Sequence, residues 1–252
     1  MERDRALTLA GGGSRCFYQL GLWSKWGRSL EPRLAGIAAC SAGACVAALA
    51  LCGREKHAME FWKIRRRHID RNFEWERLLT GRRPTPQYPV YRDTLLHAFE
   101  DGGLERLRSL PFPLLVLASA PPKGVPKALA TLTGFGAYAL ERYLHPHRVH
   151  RRFGQRLGFA PLVVDARTCE TADELIELII ASSATPPFTP VGYFRGQALL
   201  DGGIVDGVPA FVGDTIEGAK KNLVLLTRFH QVSRTGEKGR RYYLAPSAPV
   251  PV

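Results

Sequence analysis

Leu34-Ala35-Gly36-Ile37-Ala38-Ala39-Cys40-Ser41-Ala42-Gly43-Ala44-Cys45-Val46-Ala47-Ala48-Leu49-Ala50-Leu51 carries no charge over 18 residues and one hydroxyl side chain, that of Ser41. An apolar run, then Ser-x-Gly, then a second apolar run rich in alanine predicts a buried strand, a tight turn and a buried helix. In such a turn the serine side chain projects from the carboxyl end of the strand, and the N–H groups that open the helix face an incoming anion. Ser41 is therefore a candidate nucleophile, with Ala42 and Gly43 as its turn neighbours. A membrane-spanning helix competes for the same stretch, because about 18 apolar residues is near the lower length of one. Composition disfavours it: the run holds only three Leu, one Ile and one Val. Basic residues also flank both ends, Arg33 on one side and Arg54 and Lys56 on the other, so the asymmetry that orients a span is missing. A buried strand and helix with a stray serine is the third reading, and the rest of the chain decides.

Immediately upstream, Ala6 to Ala10 is a short strand-type segment that runs into Gly11-Gly12-Gly13-Ser14-Arg15, after which Phe17, Leu20, Gly21 and Trp23 begin a helical pattern. Consecutive glycines leave backbone N–H groups pointing into open space, where a phosphate or an oxyanion can sit. The dinucleotide pattern G-x-G-x-x-G fails, since Cys16 stands three residues after Gly13, and no G-K-[ST] follows. An oxyanion hole needs a nucleophile nearby in space. Two successive strand-turn-helix units place both turns at the same end of one parallel sheet. The glycine turn and Ser41 are thus expected to face each other, which favours acyl transfer over phosphate binding.

A chain of 252 residues is long enough for one large α/β domain spanning residues 1–252. Its formal charge of +12 and pI near 9.8 attract phosphate-rich partners, whether nucleic acid or an anionic membrane surface. The five cysteines, Cys16, Cys40, Cys45, Cys52 and Cys169, form no C-x-x-C pair and no zinc spacing. They read as reduced, mostly buried thiols of a cytoplasmic protein, with neither metal nor cofactor expected. Met1-Glu2-Arg3-Asp4-Arg5 has mixed charge and the apolar segment after it breaks at glycines, so no signal peptide is expected.

Between Arg54 and Arg92 eleven Lys or Arg stand against five Asp or Glu, with Phe61, Trp62, Phe73, Trp75 and Tyr88 interleaved. Phe61, Ile64, His68 and Trp75, and again Trp62 and Ile69, fall at helical spacings around Arg65-Arg66-Arg67. Such a basic helical insertion suits an anionic bilayer or nucleic acid, and equally a solvated face over an ordinary core contact. Gly81 to Pro86 reads as a loop, residues 94–107 as one short helix, residues 114–118 as a buried strand, and residues 121–136 as a loop with a short helix. His145, His147 and His150 sit among arginines without acidic or thiol support, which predicts a basic surface patch and no metal site. Residues 162–166 read as a strand. Residues 171–182 read as a helix capped by Thr171, with Asp173 and Glu174 in its first turn, that stops at Ala184-Thr185-Pro186-Pro187.

Residues 191–200 alternate like a hairpin and end in Leu199-Leu200, followed at once by Asp201-Gly202-Gly203. Packing explains an acid at the end of an apolar strand poorly. A carboxylate aimed at a partner while the backbone turns explains it better, although Asp-Gly is also a common turn pair. Asp206-Gly207 is a weaker copy of the signal. Residues 223–227 read as a further buried strand, and the proline-rich tail from Ala245 to Val252 reads as stopping mid-path.

Gly11-Gly12-Gly13-Ser14-Arg15, Ala39-Cys40-Ser41-Ala42-Gly43 and Asp201-Gly202-Gly203, in that order, resemble the motifs of the patatin-like phospholipase family: a glycine-rich oxyanion loop ending in a basic residue, a G-x-S-x-G turn, and a D-G-G or D-G-A. Ala181-Ser182-Ser183-Ala184-Thr185-Pro186 is similar to the segment that precedes the aspartate strand there. The resemblance implies a single three-layer α/β/α domain with a mostly parallel central sheet. It implies Ser41 as nucleophile, Asp201 as base without a histidine, Gly11, Gly12 and Gly13 as oxyanion hole, and Arg15, Ala42, Gly43, Gly202 and Gly203 in support. The implied substrate is a phospholipid or related acyl ester, with no cofactor, a peripheral contact with anionic membrane through residues 54–92, and nucleic acid disfavoured. Two departures stand out: Ala39 replaces the first glycine of the nucleophile turn, adding one methyl, and Cys16 replaces the glycine after Arg15.

Two rivals remain on the sequence alone. One is a conventional triad in the order Ser41, Asp201 or Asp206, His230. The other is a hydrolase fold without activity that serves as a basic module for anionic membranes or nucleic acid.

Overall fold

The computed structural model describes residues 2–67, 69, 71, 74–85, 88–151 and 153–250. His68 and Phe73 of the basic stretch, Pro86 of the loop, Arg152 and the last two residues of the tail lie outside them.

Seven strands form the central sheet: β1 (Arg5–Leu9), β2 (Leu34–Cys40), β3 (Leu114–Ala120), β4 (Ala160–Asp165), and, after the separate hairpin β5 (Gly192–Phe194) and β6 (Gln197–Leu199), β7 (Lys221–Leu225), β8 (Gly236–Lys238) and β9 (Arg241–Leu244). Their order is β4-β3-β2-β1-β7-β9-β8, parallel from β3 through β9 and antiparallel at the two edges. β2 is buried along its whole length, as a continuous apolar run at the centre of a parallel sheet must be.

The ten helices are α1 (Phe17–Leu30), α2 (Ala42–Leu51), α3 (Glu55–Arg66), α4 (Tyr88–Phe99), α5 (Gly103–Arg108), α6 (Lys127–Leu144), α7 (Phe153–Arg156), α8 (Ala172–Ser182), α9 (Gly203–Asp206) and α10 (Ala210–Gly213), counted among the described residues. Alternation along β1 and β2 divides them into layers. Leu7, Leu9, Ile37 and Ala39 point into the main core with α2 and α8, whereas Ala6, Ala35 and Ala38 meet Val212 and Ile216 on the opposite face. The result is the expected three-layer α/β/α architecture with a mostly parallel sheet.

Strand order turns back at β1, whose neighbours are β2 and β7, with Leu9 level with Ala39 on one side and Leu225 on the other. A crevice opens outside the carboxyl ends of strands at such a reversal. The glycine turn follows β1, Ser41 follows β2, and Thr227 and Arg228 follow β7. Gln19 of α1 donates to the carbonyls of Ala10 and Leu225 at 3.1 and 2.9 Å, tying two of these strand ends together.

Several readings need correction. The single helix expected over residues 94–107 is two, α4 and α5, because Asp101 and Gly102 adopt φ of 48° and 86°. Residues 121–136, expected as a loop with a short helix, hold the start of the 18-residue α6, which runs on to Leu144. In the basic stretch, Trp75 belongs to a separate 3-10 turn (Trp75–Thr80), so it shares no continuous helical face with Phe61 and Ile64, and Ile64 is exposed. The histidine segment is not a plain surface patch: Arg151 is buried and His150 is half-buried and bonded on both ring nitrogens. All five cysteines are free and buried. Among the described residues no helix is long and apolar enough to cross a membrane, and α2 is a buried core helix.

Candidate active site

Ser41 occupies the turn between β2 and α2 at φ 53° and ψ −138°. A residue bearing a Cβ resists that region, at a cost of about 1–3 kcal/mol, and persists there only when its surroundings hold it. Two contacts do so. The Ser41 N–H donates to Ser182 Oγ at 2.8 Å, and the Ser182 hydroxyl donates to the Leu117 carbonyl of β3 at 2.7 Å. Gly43 lets α2 come down onto β1, since a Cβ there would stand 2.7 and 2.8 Å from the carbonyl oxygens of Ala10 and Leu9.

The Ser41 hydroxyl donates to Asp201 Oδ2 at 2.7 Å. Asp201 Oδ1 accepts from the Gly203 N–H at 2.7 Å, which fixes the carboxylate plane. The segment after α8 anchors the aspartate: the Asp201 N–H donates to Ala184 and the Gly202 N–H to Ser182. Burial pushes the Asp201 carboxyl up to about 6, against the opposing pull of its bonds from Ser41 and Gly203. A carboxylate in that range is a competent proton acceptor at neutral pH.

The glycine turn faces the same spot but does not contribute uniformly. The Gly11 N–H is taken by the Gly207 carbonyl at 2.9 Å, and the Gly11 carbonyl accepts from Thr227 Oγ1 at 2.9 Å. Gly11 is therefore a structural member of the loop, which corrects its expected place in an oxyanion hole. Among the described residues, the N–H groups of Gly12 and Gly13 make no hydrogen bond. Gly13 stands at φ 61°, a conformation glycine adopts at little cost. Among the described residues the buried Arg15 Nε has no hydrogen-bond partner, and Arg15 lines the wall of the adjoining cleft.

Two cavities meet at Ser41 and Asp201 and share Gly13, Ser14, Thr185 and Phe188. One, of about 350 Å³, is apolar and runs between Phe17, Val46, Leu49, Trp62, Tyr91 and Leu95. The other, about 1000 Å³, passes α6 and carries Arg15, Lys127, Tyr138 and Arg228. Arg228 donates to the Tyr138 hydroxyl, and burial, together with Arg142, Arg15 and Arg151 nearby, lowers its pKa.

The basic stretch contributes otherwise than its charge suggests. Trp62 lines the apolar cavity and packs against Phe17 with ring centroids 6.0 Å apart. Arg54, Arg65, Arg77 and Arg92 are paired with Asp101, Asp93, Glu74 and Asp173.

Asp206 and His230 do not form the alternative triad. Asp206 Oδ2 lies 2.7 Å from His150 Nδ1, and His150 Nε2 lies 2.8 Å from the Tyr243 hydroxyl. The His230 ring faces His147 at 6.3 Å, and among the described residues His230 bonds to neither Ser41 nor either aspartate. Sequence reasoning missed Ser182, Thr227 and Gly207 as supports of the site. Ser182 had a signal in its small-residue segment, and Thr227 in being a hydroxyl at the end of an apolar strand. A carbonyl such as that of Gly207 leaves no trace in side-chain chemistry.

The family model of patatin-like phospholipases matches residues 7–213 of this chain. No curated protein matches it in sequence.

Proposed function

The chain belongs to the patatin-like phospholipase family, and from that premise we propose that it hydrolyses carboxylic ester bonds of phospholipids or related acyl lipids with Ser41 as nucleophile and Asp201 as general base. The observation that carries this reading is the 2.7 Å bond from the strained Ser41 hydroxyl to Asp201 at the junction of an apolar and a cationic cavity.

The acyl chain lies in the cavity beside Trp62 and Leu95, and the rest of the ester extends past α6. Ser41 Oγ attacks the carbonyl carbon while its proton passes to Asp201 Oδ2. Charge develops on the carbonyl oxygen and is met by the N–H groups of Gly12 and Gly13, each such donor lowering the barrier by about 3 kcal/mol. The tetrahedral intermediate collapses, the C–O bond to the alcohol breaks, and the alcohol takes the proton from Asp201. Water then attacks the acyl-enzyme with Asp201 again as base, releasing the fatty acid and restoring Ser41.

A fluorophosphonate ester probe tests the assignment. It is expected to label the wild-type chain and to fail on Ser41→Ala. Hydrolysis of a short-chain 4-nitrophenyl ester should disappear in the same variant. Labelling that survives Ser41→Ala overturns the choice of nucleophile. A wild-type chain that neither labels nor hydrolyses, while still binding anionic vesicles, returns it to the inactive binding-module reading.

A further inference from the structure

The helix α6 is unusual in what it shows to solvent. A surface helix normally buries its apolar stripe and exposes its polar one. On α6 the buried stripe is small, made of Ala130, Gly134, Ala137 and Glu141. The outward stripe is Leu129, Leu132, Gly136, Leu140 and Tyr143, at intervals of three and four residues that keep it on one side of the helix. Leu132 is 72% exposed and Tyr143 84%, with Leu129 and Leu140 near half. A contiguous exposed apolar stripe of this kind marks a surface that meets something apolar.

Charge around the stripe is of one sign. Between Lys123 and Arg151 the sequence has five Lys or Arg and a single acid, Glu141. Glu141 points inward, 1% exposed, and accepts from Arg148 and from the Phe153 N–H. Within residues 123–151, no acidic side chain therefore offsets Lys123 and Arg142 along the outward surface. Leu132 and Gly136 also line the cationic cavity that ends at Ser41, so the stripe is continuous with the mouth of the site.

We propose that the outward face of α6 docks on an anionic lipid bilayer, with Leu129, Leu132, Leu140 and Tyr143 inserted at the acyl boundary and the flanking bases on the headgroups. An apolar face with basic flanks binds such an interface through buried apolar area and through attraction, about 1 kcal/mol for each Lys or Arg near the surface. A second copy of this chain fits the face less well, because each copy carries +12 and the flanks are basic on both. The stripe also gives nucleic acid nothing to stack on or pair with apart from Tyr143. The basic stretch of residues 54–92 offers the bilayer less, since four of its eleven Lys or Arg are paired with acids and its Trp62 lines the apolar cavity. This docking face goes beyond the hydrolase reading and does not depend on it.

Vesicle flotation of the full chain carrying Ser41→Ala separates docking from turnover. The chain is expected to float with phosphatidylcholine vesicles that contain phosphatidylglycerol, and less as salt rises. Leu129→Gln, Leu140→Gln and Tyr143→Gln together should lower that binding at least ~10-fold. With Ser41 intact these three changes should leave hydrolysis of a soluble short-chain ester within about twofold, since none of the three lines either cavity at Ser41; that measurement also shows that the variant folds. Lys123→Gln with Arg142→Gln should weaken binding and flatten its salt dependence. Wild-type-like binding by the triple variant overturns the proposal. So does loss of binding confined to Lys63→Gln with Arg67→Gln, absence of binding to anionic vesicles, or a dimer in sedimentation that the triple variant abolishes without any effect on flotation.

Discussion

Asp201 precedes the short helix α9 and Asp206 ends it, each followed by a glycine, and each uses Oδ1 in the same way: Asp201 accepts from the N–H of Gly203, Asp206 from that of Val208. Burial raises the pKa of both carboxyls. They differ above all in what meets Oδ2. For Asp201 it is the hydroxyl of Ser41, at the junction of two cavities. For Asp206 it is the imidazole of His150, followed by Tyr243, Arg241 and Asp214 in a chain of bonds. The Asp-Gly turn sets the local geometry, and the residue delivered from another part of the sheet sets the chemistry.

The largest expected contrast is in turnover. Asp201→Asn and Ser41→Ala should each lower kcat/KM by about 10³-fold or more, while Asp206→Asn stays within about tenfold; equal losses at the two aspartates would erase the distinction. The second contrast is in stability, read by denaturant unfolding. His150→Ala leaves the Asp206 carboxyl buried and unpaired and is expected to cost about 3 kcal/mol. Ser41→Ala removes the partner of a carboxylate that faces a cavity, and should cost less than about 1 kcal/mol.

The third contrast is in pH. Asp201 accepts a proton only when ionised, so kcat/KM should rise with pH through about 6 and then level off. Its folded pKa lies above the unfolded value near 3.9, so the folded state holds the extra proton between these values. The stabilisation from Asp201 is thus present below about 4 and is lost as pH rises through about 6. Asp201→Asn should remove that dependence and melt a few degrees higher at pH 7. A flat rate profile between pH 5 and 7 would deny Asp201 the role of base. The smallest effect is expected at His230→Ala, within about twofold of wild-type turnover; a loss approaching that of Ser41→Ala would bring back a triad.

Much of this arrangement is visible in the sequence because it is local. The run around Ser41 specifies its own strand, turn and helix through uninterrupted apolar residues, and Thr171 announces α8 by capping it, accepting from the Glu174 N–H at 3.1 Å. What was misread depends on contacts between distant segments. Residues 121–136 read as a loop with a short helix, whereas α6 runs on to Leu144, and a Cβ at Gly134 would stand 2.8 Å from Phe159 and 3.1 Å from Ile204, so that glycine records a close helix approach. The periodicity across residues 94–107 runs on through a break that only the positive φ angles of Asp101 and Gly102 reveal. His150 and Asp206 are separated by 56 positions, and neither carries a local sign of the other. The same holds for the Gly207 carbonyl that withdraws Gly11 from the oxyanion-facing set.

The close descent of α2 onto the carbonyls of Leu9 and Ala10 has an evolutionary corollary. Every missense change of a glycine codon adds a Cβ, so no amino-acid replacement at Gly43 keeps the backbone where it is. Selection against change at this position would persist in a descendant that had lost hydrolysis, because the sheet and helix would still have to meet. Gly13 has open space around its Cβ position, so a side chain there meets no clash and only the strain of a φ of 61°, roughly 1–2 kcal/mol, and it would be released to drift more readily in the same lineage. Inactive branches of this lineage should therefore be recognisable by which of the two glycines they keep.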